Sequence, residues 1–394
     1  MGTLIAKIVF WFLMALTVFI YFLYPLVLAF IAKIMGREPV KADITPFVSL
    51  IVPMHNEEKV AKEKVENILA LDYPKDKLEV IFALDGCTDR TKEIISWYNN
   101  TAVKILETNE RGGKVAVLNH AVPSAKGEII VFSDANSMHE QDTLRKIVRN
   151  FADEKVGCVS GILKYKEADA TSVGKGENLY WKYEHFMKVN ESRLGKLLVT
   201  NGSIQAVRKA LYPYPSPDVA DDFSIPLIIQ SKRYKVLYEP EAIVYERATQ
   251  SLKEEFDQKV RIISQGMKGV VLLWRDLLRL SPMGIFELLF HKVIRWYVPF
   301  CMILVFLLNI LLLGEPIYRF LFILQIAFYI CAFMGFLFRH KTKTKIFYIP
   351  FYFCLINFAS LVAVYKFFKG EQTRTWDKAH STRIEIASPL RGSQ

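Results

Sequence analysis

Cysteine is scarce and scattered: Cys87, Cys158, Cys301, Cys331 and Cys354 are the five in 394 residues, and no two lie close together. A disulfide framework or a cysteine-rich metal cluster needs tighter spacing, so reduced structural thiols are the expectation. Internal repeats and low-complexity stretches are also missing. Charge is almost absent from Leu4 to Ile34, where Lys7 and Lys33 are the only ionised side chains. A secretory signal has a shorter apolar core, about 7–15 residues, and a small-residue cleavage site; neither is found. Although the net charge is +11, no nucleic-acid-binding signature accompanies it.

What is present is an apolar excess, 52% of residues, concentrated in two blocks. The first, Leu4 to Ile34, is long enough to cross about 30 Å of hydrocarbon at about 1.5 Å per residue, and reads as a tilted anchor with Pro25 near its end. The second runs from Tyr297 to Phe368. It divides at Gly314-Glu315-Pro316 and at the basic run Arg339 to Lys345, leaving spans near Val298 to Leu313, Tyr318 to Phe338 and Ile346 to Phe368. Much of the basic excess flanks these segments, at Lys33, Arg37, Lys41, the Arg339 run and the tail from Lys366. Anionic headgroups are its nearest partners, and the basic run belongs on the cytosolic side. Upstream, Phe286, Leu289, Phe290, Val293, Ile294 and Tyr297 recur at helical spacing beside Lys292 and Arg295. That pattern suits a helix in the membrane interface or a soluble helix packed on its domain.

Between about Phe47 and Arg261 short β-branched runs alternate with amphipathic stretches, the pattern of an α/β sheet with helices on its faces. The strands are Val48 to Val52, Leu78 to Leu84, Val103 to Leu106 and Glu128 to Ser133. Ligands of open parallel sheets bind beyond the strands' carboxyl ends. Four such ends carry polar groups: His55-Asn56-Glu57-Glu58, Asp85-Gly86-Cys87-Thr88-Asp89, the loop through Gly112-Gly113-Lys114, and Asp134-Ala135-Asn136.

Each has two readings. The Asp85 carboxylate can accept hydrogen bonds from a base or ribose, or simply make an Asx turn with Gly86. Gly113-Lys114 lacks the glycine spacing and the Ser or Thr of a Walker loop; the lysine meets a diphosphate as a point charge or is solvated surface. Asp134 and Asn136, read as alternate positions leaving a strand, point the same way toward one divalent cation, or else close an end-of-strand turn. Asp221 and Asp222 precede an apolar helical pattern. They cap it, or one takes the proton of an attacking hydroxyl, an effect worth about 10²–10⁴-fold.

In this order, Val48-Ser-Leu-Ile-Val-Pro-Met-His-Asn-Glu-Glu, Asp85-Gly-Cys-Thr-Asp, Gly113-Lys114 with Leu118-Asn119, Asp134-Ala-Asn, Asn201-Gly-Ser-Ile-Gln-Ala-Val-Arg-Lys, Ala220-Asp-Asp and Gln258-Lys-Val-Arg261 resemble the family-2 inverting glycosyltransferases. That group includes the cellulose, chitin, hyaluronan and poly-N-acetylglucosamine synthases. The resemblance implies a GT-A type α/β domain with a mostly parallel sheet that binds a nucleotide sugar, UDP-linked by expectation, with Mg2+ or Mn2+. It assigns the donor to Pro53, Asn56, Glu57, Asp85, Lys114, Asp134, Gln258 and Arg261, and the metal to Asp134 and Asn136. The acceptor falls to Asn201, Gly202 and Asp221, and the general base to Asp222. Two departures stand out. Asp-x-Asp has become Asp134-Ala-Asn136, one charge fewer for a metal, and the Trp of Gln-x-x-Arg-Trp has become Ile262. Tyr180, Trp181 and Tyr183 offer other stacking surfaces, or core packing.

The expected organisation is a transmembrane anchor over 1–36, a cytosolic catalytic domain over 45–280, an interfacial helix over 281–297, transmembrane helices over 298–368 and a basic tail over 369–394. The expected partners are a nucleotide sugar, a glycan or lipid-linked acceptor and the bilayer, with no nucleic acid. Polysaccharide synthesis is the first functional expectation, and single transfer to a lipid carrier the alternative. With a cytosolic domain, one span before it and three after, the tail falls outside the cell, whereas its lysines and arginines favour the cytosol; either one apolar segment is re-entrant or the tail is exported despite its charge. A non-catalytic transporter would require polar groups within the spans, and these are nearly missing.

Overall fold

The structure, a computed structural model, describes residues 1–98, 103–166, 172–247, 251–339 and 344–371, with the side chains of 172–178 left aside. The basic tail beyond Glu371 and most of the Arg339 to Lys345 run lie outside the described residues. The chain divides into two units.

The α/β unit comprises Pro39–Lys166 and Val199–Thr249. Its strands are β1 Val48–Met54, β2 Leu78–Asp85, β3 Val103–Thr108, β4 Ile129–Phe132, β5 Met138–His139, β6 Val156–Lys166, β7 Gln205–Arg208 and β8 Lys235–Arg247. They form one sheet in the order β3-β2-β1-β4-β7-β6-β8-β5. Strands β3, β2, β1 and β4 are parallel, as are β6 and β8, while β7 runs antiparallel to both neighbours and β5 to β8. Strands β1 and β2 are buried along their whole length, which is why they read as nearly unbroken apolar runs and not as alternating ones. The core on these strands includes Leu50, Val52, Phe82, Leu84 and Val131, packed with Val60, Ala61, Val65 and Ile68 of helix Glu58–Leu69.

The chain leaves β1 toward β2 on one side and pairs with β4 on the other, so the crevice at the carboxyl ends of these strands is where a ligand is expected. Strand β4 stops with Phe132 opposite Ile51. Pro53 therefore lies past that pairing, where a missing N–H costs no ladder bond on that side.

The helical unit comprises Met1–Glu38, Glu167–Leu198 and Gln250–Gln372. Among the described residues four helices are long and apolar enough to cross a membrane: Gly2–Met35, Pro282–Leu311, Pro316–Leu337 and Lys345–Lys369. The first is continuous through a widened turn at Phe19–Leu23, just ahead of Pro25, whose ring cannot sit against an ordinary preceding turn. The segment Phe286 to Tyr297 is not a separate element, because it runs on within the helix Pro282–Leu311. Its polar face is held by helix Ser172–Arg193: Glu184 takes His291 Nε2 at 3.1 Å, Arg295 Nη1 at 2.9 Å and Lys292 Nζ at 3.3 Å.

Candidate active site

Asp85 ends β2, and its two carboxylate oxygens accept the backbone N–H groups of Gly112 at 2.7 Å and Gly113 at 2.8 Å. The side chain therefore shapes the loop that leads into Lys114. Gly86 follows at φ 57°, where a Cβ would stand 2.8 Å from the Arg111 nitrogen, so only glycine fits without strain. Gly113, at φ 89°, opens the helix Lys114–Ala121.

The ammonium of Lys114 is thereby placed 3.0 Å from Asp134 Oδ1, 3.1 Å from Asp221 Oδ2 and 3.1 Å from the Gly202 carbonyl. The three acceptors come from the turn after β4, the helix Asp221–Ser231 and the turn before β7. The Lys114 side chain is only 10% exposed. Burial works to lower its pKa, but the charges of Asp134, Asp221 and Asp222 outweigh it and hold the pKa above the ordinary lysine value. The carboxylates of Asp85 and Asp134 at two strand ends and of Asp222 at a helix start thus belong to one region, since Asp85 sets the loop, Asp134 meets Lys114, and the charge of Asp222 acts on Lys114 beside that of Asp221.

Asp221 and Asp222 open a helix whose N-cap is Ala220, with no side-chain cap bond. Both acids sit in its first turn, where negative charge suits a helix N-terminus. Asp221 is buried and Asp222 half-buried, and the Asp222 carbonyl accepts the N–H of Thr200 at 3.0 Å, tying the helix start to the Asn201–Gly202 turn. Asn201 Oδ1 accepts the Ser203 N–H at 3.1 Å. Gly202 borders the ammonium so closely that a Cβ there would lie 2.8 Å from Lys114 Nζ.

Strand alternation does not govern Asp134 and Asn136, because β4 ends at Phe132. Both lie in a turn in which the Asp134 carbonyl accepts the Ser137 N–H at 3.2 Å. Both are buried, at 8% and 5% exposure. Ser203 Oγ is 3.5 Å from Asp134 Oδ2 and also bonds Glu246 Oε1, which takes the Ser137 hydroxyl as well. Among the described residues no three His, Cys, Asp or Glu side chains gather as a metal cluster. Oxygen atoms of Ser203, Glu246 and the Gly202 carbonyl nevertheless gather around Asp134 beside the Lys114 cation, which suits a hard divalent ion that keeps one or two carboxylates and takes its other ligands from phosphate and water.

Beside this cluster lies a small open cleft lined by Pro53, His55, Glu57, Asp85, Arg111 and Lys114, with Met54, Gly113 and Val117 completing its wall. Asn56 is one step removed. At φ 51° its Oδ1 accepts the Thr88 N–H at 2.8 Å, clamping the Asp85–Asp89 loop onto the end of β1. His55 was named in the sequence within the motif that follows β1 but given no role of its own, and Arg111 was not singled out. Arg111 sits immediately before Gly112-Gly113, and a cation next to a glycine turn is the signal that marks it. His55 Nδ1 lies 2.6 Å from the Asp85 carbonyl.

Gln258 and Arg261 belong to the helical unit, three residues apart on helix Leu252–Leu272, where Ile262 is half exposed. On the same helix Lys259 lies 4.9 Å from the Tyr180 ring centre and 5.7 Å from that of Trp181, and pairs with Glu255 at 3.2 Å. Tyr180 and Trp181 are partly buried and present their rings to this cation.

Residues 49–212 match the family model described as glycosyl transferase family 2. The chain thus carries a family 2 glycosyltransferase domain with the GT-A type α/β fold. It is 31% identical over 168 residues to the beta-monoglucosyldiacylglycerol synthase of Nostoc sp., covering 42% of this chain and 36% of that protein. To the poly-beta-1,6-N-acetyl-D-glucosamine synthase of Staphylococcus aureus it is 21% identical over 268 residues, 66% of this chain and 64% of that protein. The chain therefore spans between about a third and two thirds of the length of the curated relatives it matches. A solved mannosyltransferase of Pyrobaculum calidifontis, in complex with GDP-Man and Mn2+, shares the fold at a TM-score of 0.70 and 22% identity, covering 92% of this chain and 100% of that one.

Proposed function

We propose that the protein transfers a sugar, with inversion at the anomeric carbon, from a nucleoside diphosphate donor to a hydroxyl of an acceptor at a membrane. The observation that carries this reading is the convergence of Asp134, Asp221 and the Gly202 carbonyl on the Lys114 ammonium, one residue from Asp222.

The donor's nucleoside lies in the cleft beside Pro53, Glu57 and Asp85, with Asn56 holding the loop. Asp222 takes the proton of the acceptor hydroxyl, whose oxygen forms a bond to the anomeric carbon as the bond to the diphosphate breaks. The electron pair of that bond leaves on the diphosphate, and Lys114 neutralises part of the charge. Asp134 and Asn136 would hold Mg2+ or Mn2+, which supplies Lewis-acid stabilisation of the same leaving group. Asn201, Gly202 and Asp221 orient the acceptor. The family resemblance adds Gln258 and Arg261 to the donor's partners, and a UDP-linked sugar as the donor.

A single transfer to a lipid-borne acceptor is favoured over polymer synthesis. No aromatic stands at Ile262, and Tyr180 and Trp181 are engaged by Lys259. The four apolar helices support an integral membrane protein, with the catalytic unit on the cytosolic side where nucleotide sugars are made. Full-length protein in lipid nanodiscs, incubated with Mn2+, UDP- or GDP-linked sugars and diacylglycerol, polyprenyl phosphate or oligosaccharide acceptors, tests this by mass spectrometry. One lipid product carrying one added sugar is expected. A ladder of lengths overturns the single-transfer reading, and no product with any pair overturns the activity.

A further inference from the structure

Helix Glu58–Leu69 buries Val60, Ala61, Lys64, Val65 and Ile68. A lysine therefore stands in the middle of an otherwise apolar stripe, at 0% exposure. Burying an ammonium costs several kcal/mol unless polar groups receive it. What receives it is the turn that carries Asp134 and Asn136. Lys64 Nζ donates to Ser133 Oγ at 2.7 Å and to the Ser137 carbonyl, one partner at each end of that turn.

The second layer is equally specific. Ser133 Oγ lies 2.6 Å from His139 Nε2 and 3.4 Å from the Asp134 carbonyl. His139 is buried, and its Nδ1 has no hydrogen-bond partner among the described residues. That fits a neutral ring donating from Nε2, and burial, followed by the Lys64 charge, holds the His139 pKa well below its usual value. With Lys64 and His139 both donating to it, the Ser133 hydroxyl turns its own proton toward the Asp134 carbonyl. Asn67 fixes the far end, its Oδ1 accepting the His139 N–H at 2.8 Å and its Nδ2 donating to the His139 carbonyl at 2.9 Å.

We propose that Lys64 is a positioning residue for the diphosphate site: its buried ammonium grips Ser133 and Ser137 and so fixes the turn that presents Asp134 and Asn136 to a metal-bound diphosphate. This rests on the reading of Asp134 given above. A buried positive charge behind the turn also offsets the concentration of acid formed by Asp134, Asp221 and Glu246 in front of it, and does so in a chain where the motif carries Asn136 in place of a second aspartate.

The test is Mn2+ binding to the full-length protein with UDP, or with GDP if the wild type prefers it, read from loss of the free-Mn2+ electron paramagnetic resonance signal. In Lys64→Met the apparent Mn2+ dissociation constant is expected to rise about 10–100-fold, the usual effect of removing an outer-shell partner, while nucleotide binding in EDTA stays at the wild-type level. Wild-type Mn2+ binding overturns the proposal, and so does an equal loss of both, which marks a general fold defect. Should Lys64→Met not fold, Ser133→Ala carries the test through the same readout: a weaker but clear rise supports the proposal, and no change overturns it. Asp134→Asn separates the two levels. If it abolishes the Mn2+ response and Lys64→Met does not move it, the Lys64 inference alone fails; if Asp134→Asn is also silent, the metal reading of Asp134 fails with it.

Discussion

Lys114 Nζ and Asp221 Oδ2 are 3.1 Å apart, an ion pair nearly closed to solvent that joins the start of one helix to the start of another. With Asp134 on its other side, Lys114 is the point at which the residues proposed for the donor and those proposed for the acceptor meet. Solvent screening has little purchase there, so the pair's geometry governs what the site can hold.

Replacing Lys114 with Met leaves two buried carboxylates without their shared cation and removes a donor from the leaving group. A fall of about 10²–10³-fold in kcat is expected, with the fold retained. Steady-state kinetics with a circular dichroism control checks it.

Gly202→Ala needs no unusual backbone angle, yet its Cβ would fall 2.8 Å from an ammonium pinned between two carboxylates. The lysine must shift, and a displacement near 1 Å in such a site costs about 10²-fold. The expected signature is a large loss in kcat/KM with a melting temperature close to wild type.

Gly86→Ala is the reverse case. Positive φ and a 2.8 Å approach to the Arg111 backbone make it a stability lesion of about 1–3 kcal/mol, visible as a lower melting temperature. Because the Asp85–Gly112–Gly113 contacts shift with it, donor affinity falls too.

Glu79 predicts an acid effect. Burial alone would raise its pKa, but bonds from Ser49, the Lys126 N–H and Lys104 outweigh it and lower the pKa; Lys104 Nζ stands 3.0 Å away. A carboxylate with a depressed folded pKa contributes stability that is full above its unfolded pKa of about 4.3 and is lost as pH falls through the lower folded value. Melting temperature should therefore drop below about pH 4 in the wild type. In Glu79→Gln it should be lower at neutral pH, with a shallower acid limb.

The central strands were legible because burial on both faces leaves a nearly pure apolar run, as in Val48–Met54 and Leu78–Asp85. The pairing of β7 between β4 and β6 was not, since antiparallel insertion depends on contacts distant in sequence. Asp134 and Asn136 were singled out by residue type, and of the two readings of their geometry the end-of-strand turn is the one the structure shows, since β4 stops at Phe132. Lys64 was passed over in the sequence although it stands four residues after Val60 and four before Ile68, on the apolar stripe; only the three-dimensional path of the Ser133–His139 segment brings Ser133 and Ser137 to its ammonium. The segment Phe286 to Tyr297 announced a helix correctly, but nothing local revealed that its polar face would meet Glu184.

The most direct test of the account is sugar transfer by Asp222→Asn, measured alongside donor binding in the same preparation. The account predicts transfer reduced by about 10²–10⁴-fold with nucleotide affinity retained, because the amide cannot take the acceptor's proton while the donor cleft is untouched. Transfer at the wild-type rate would contradict it.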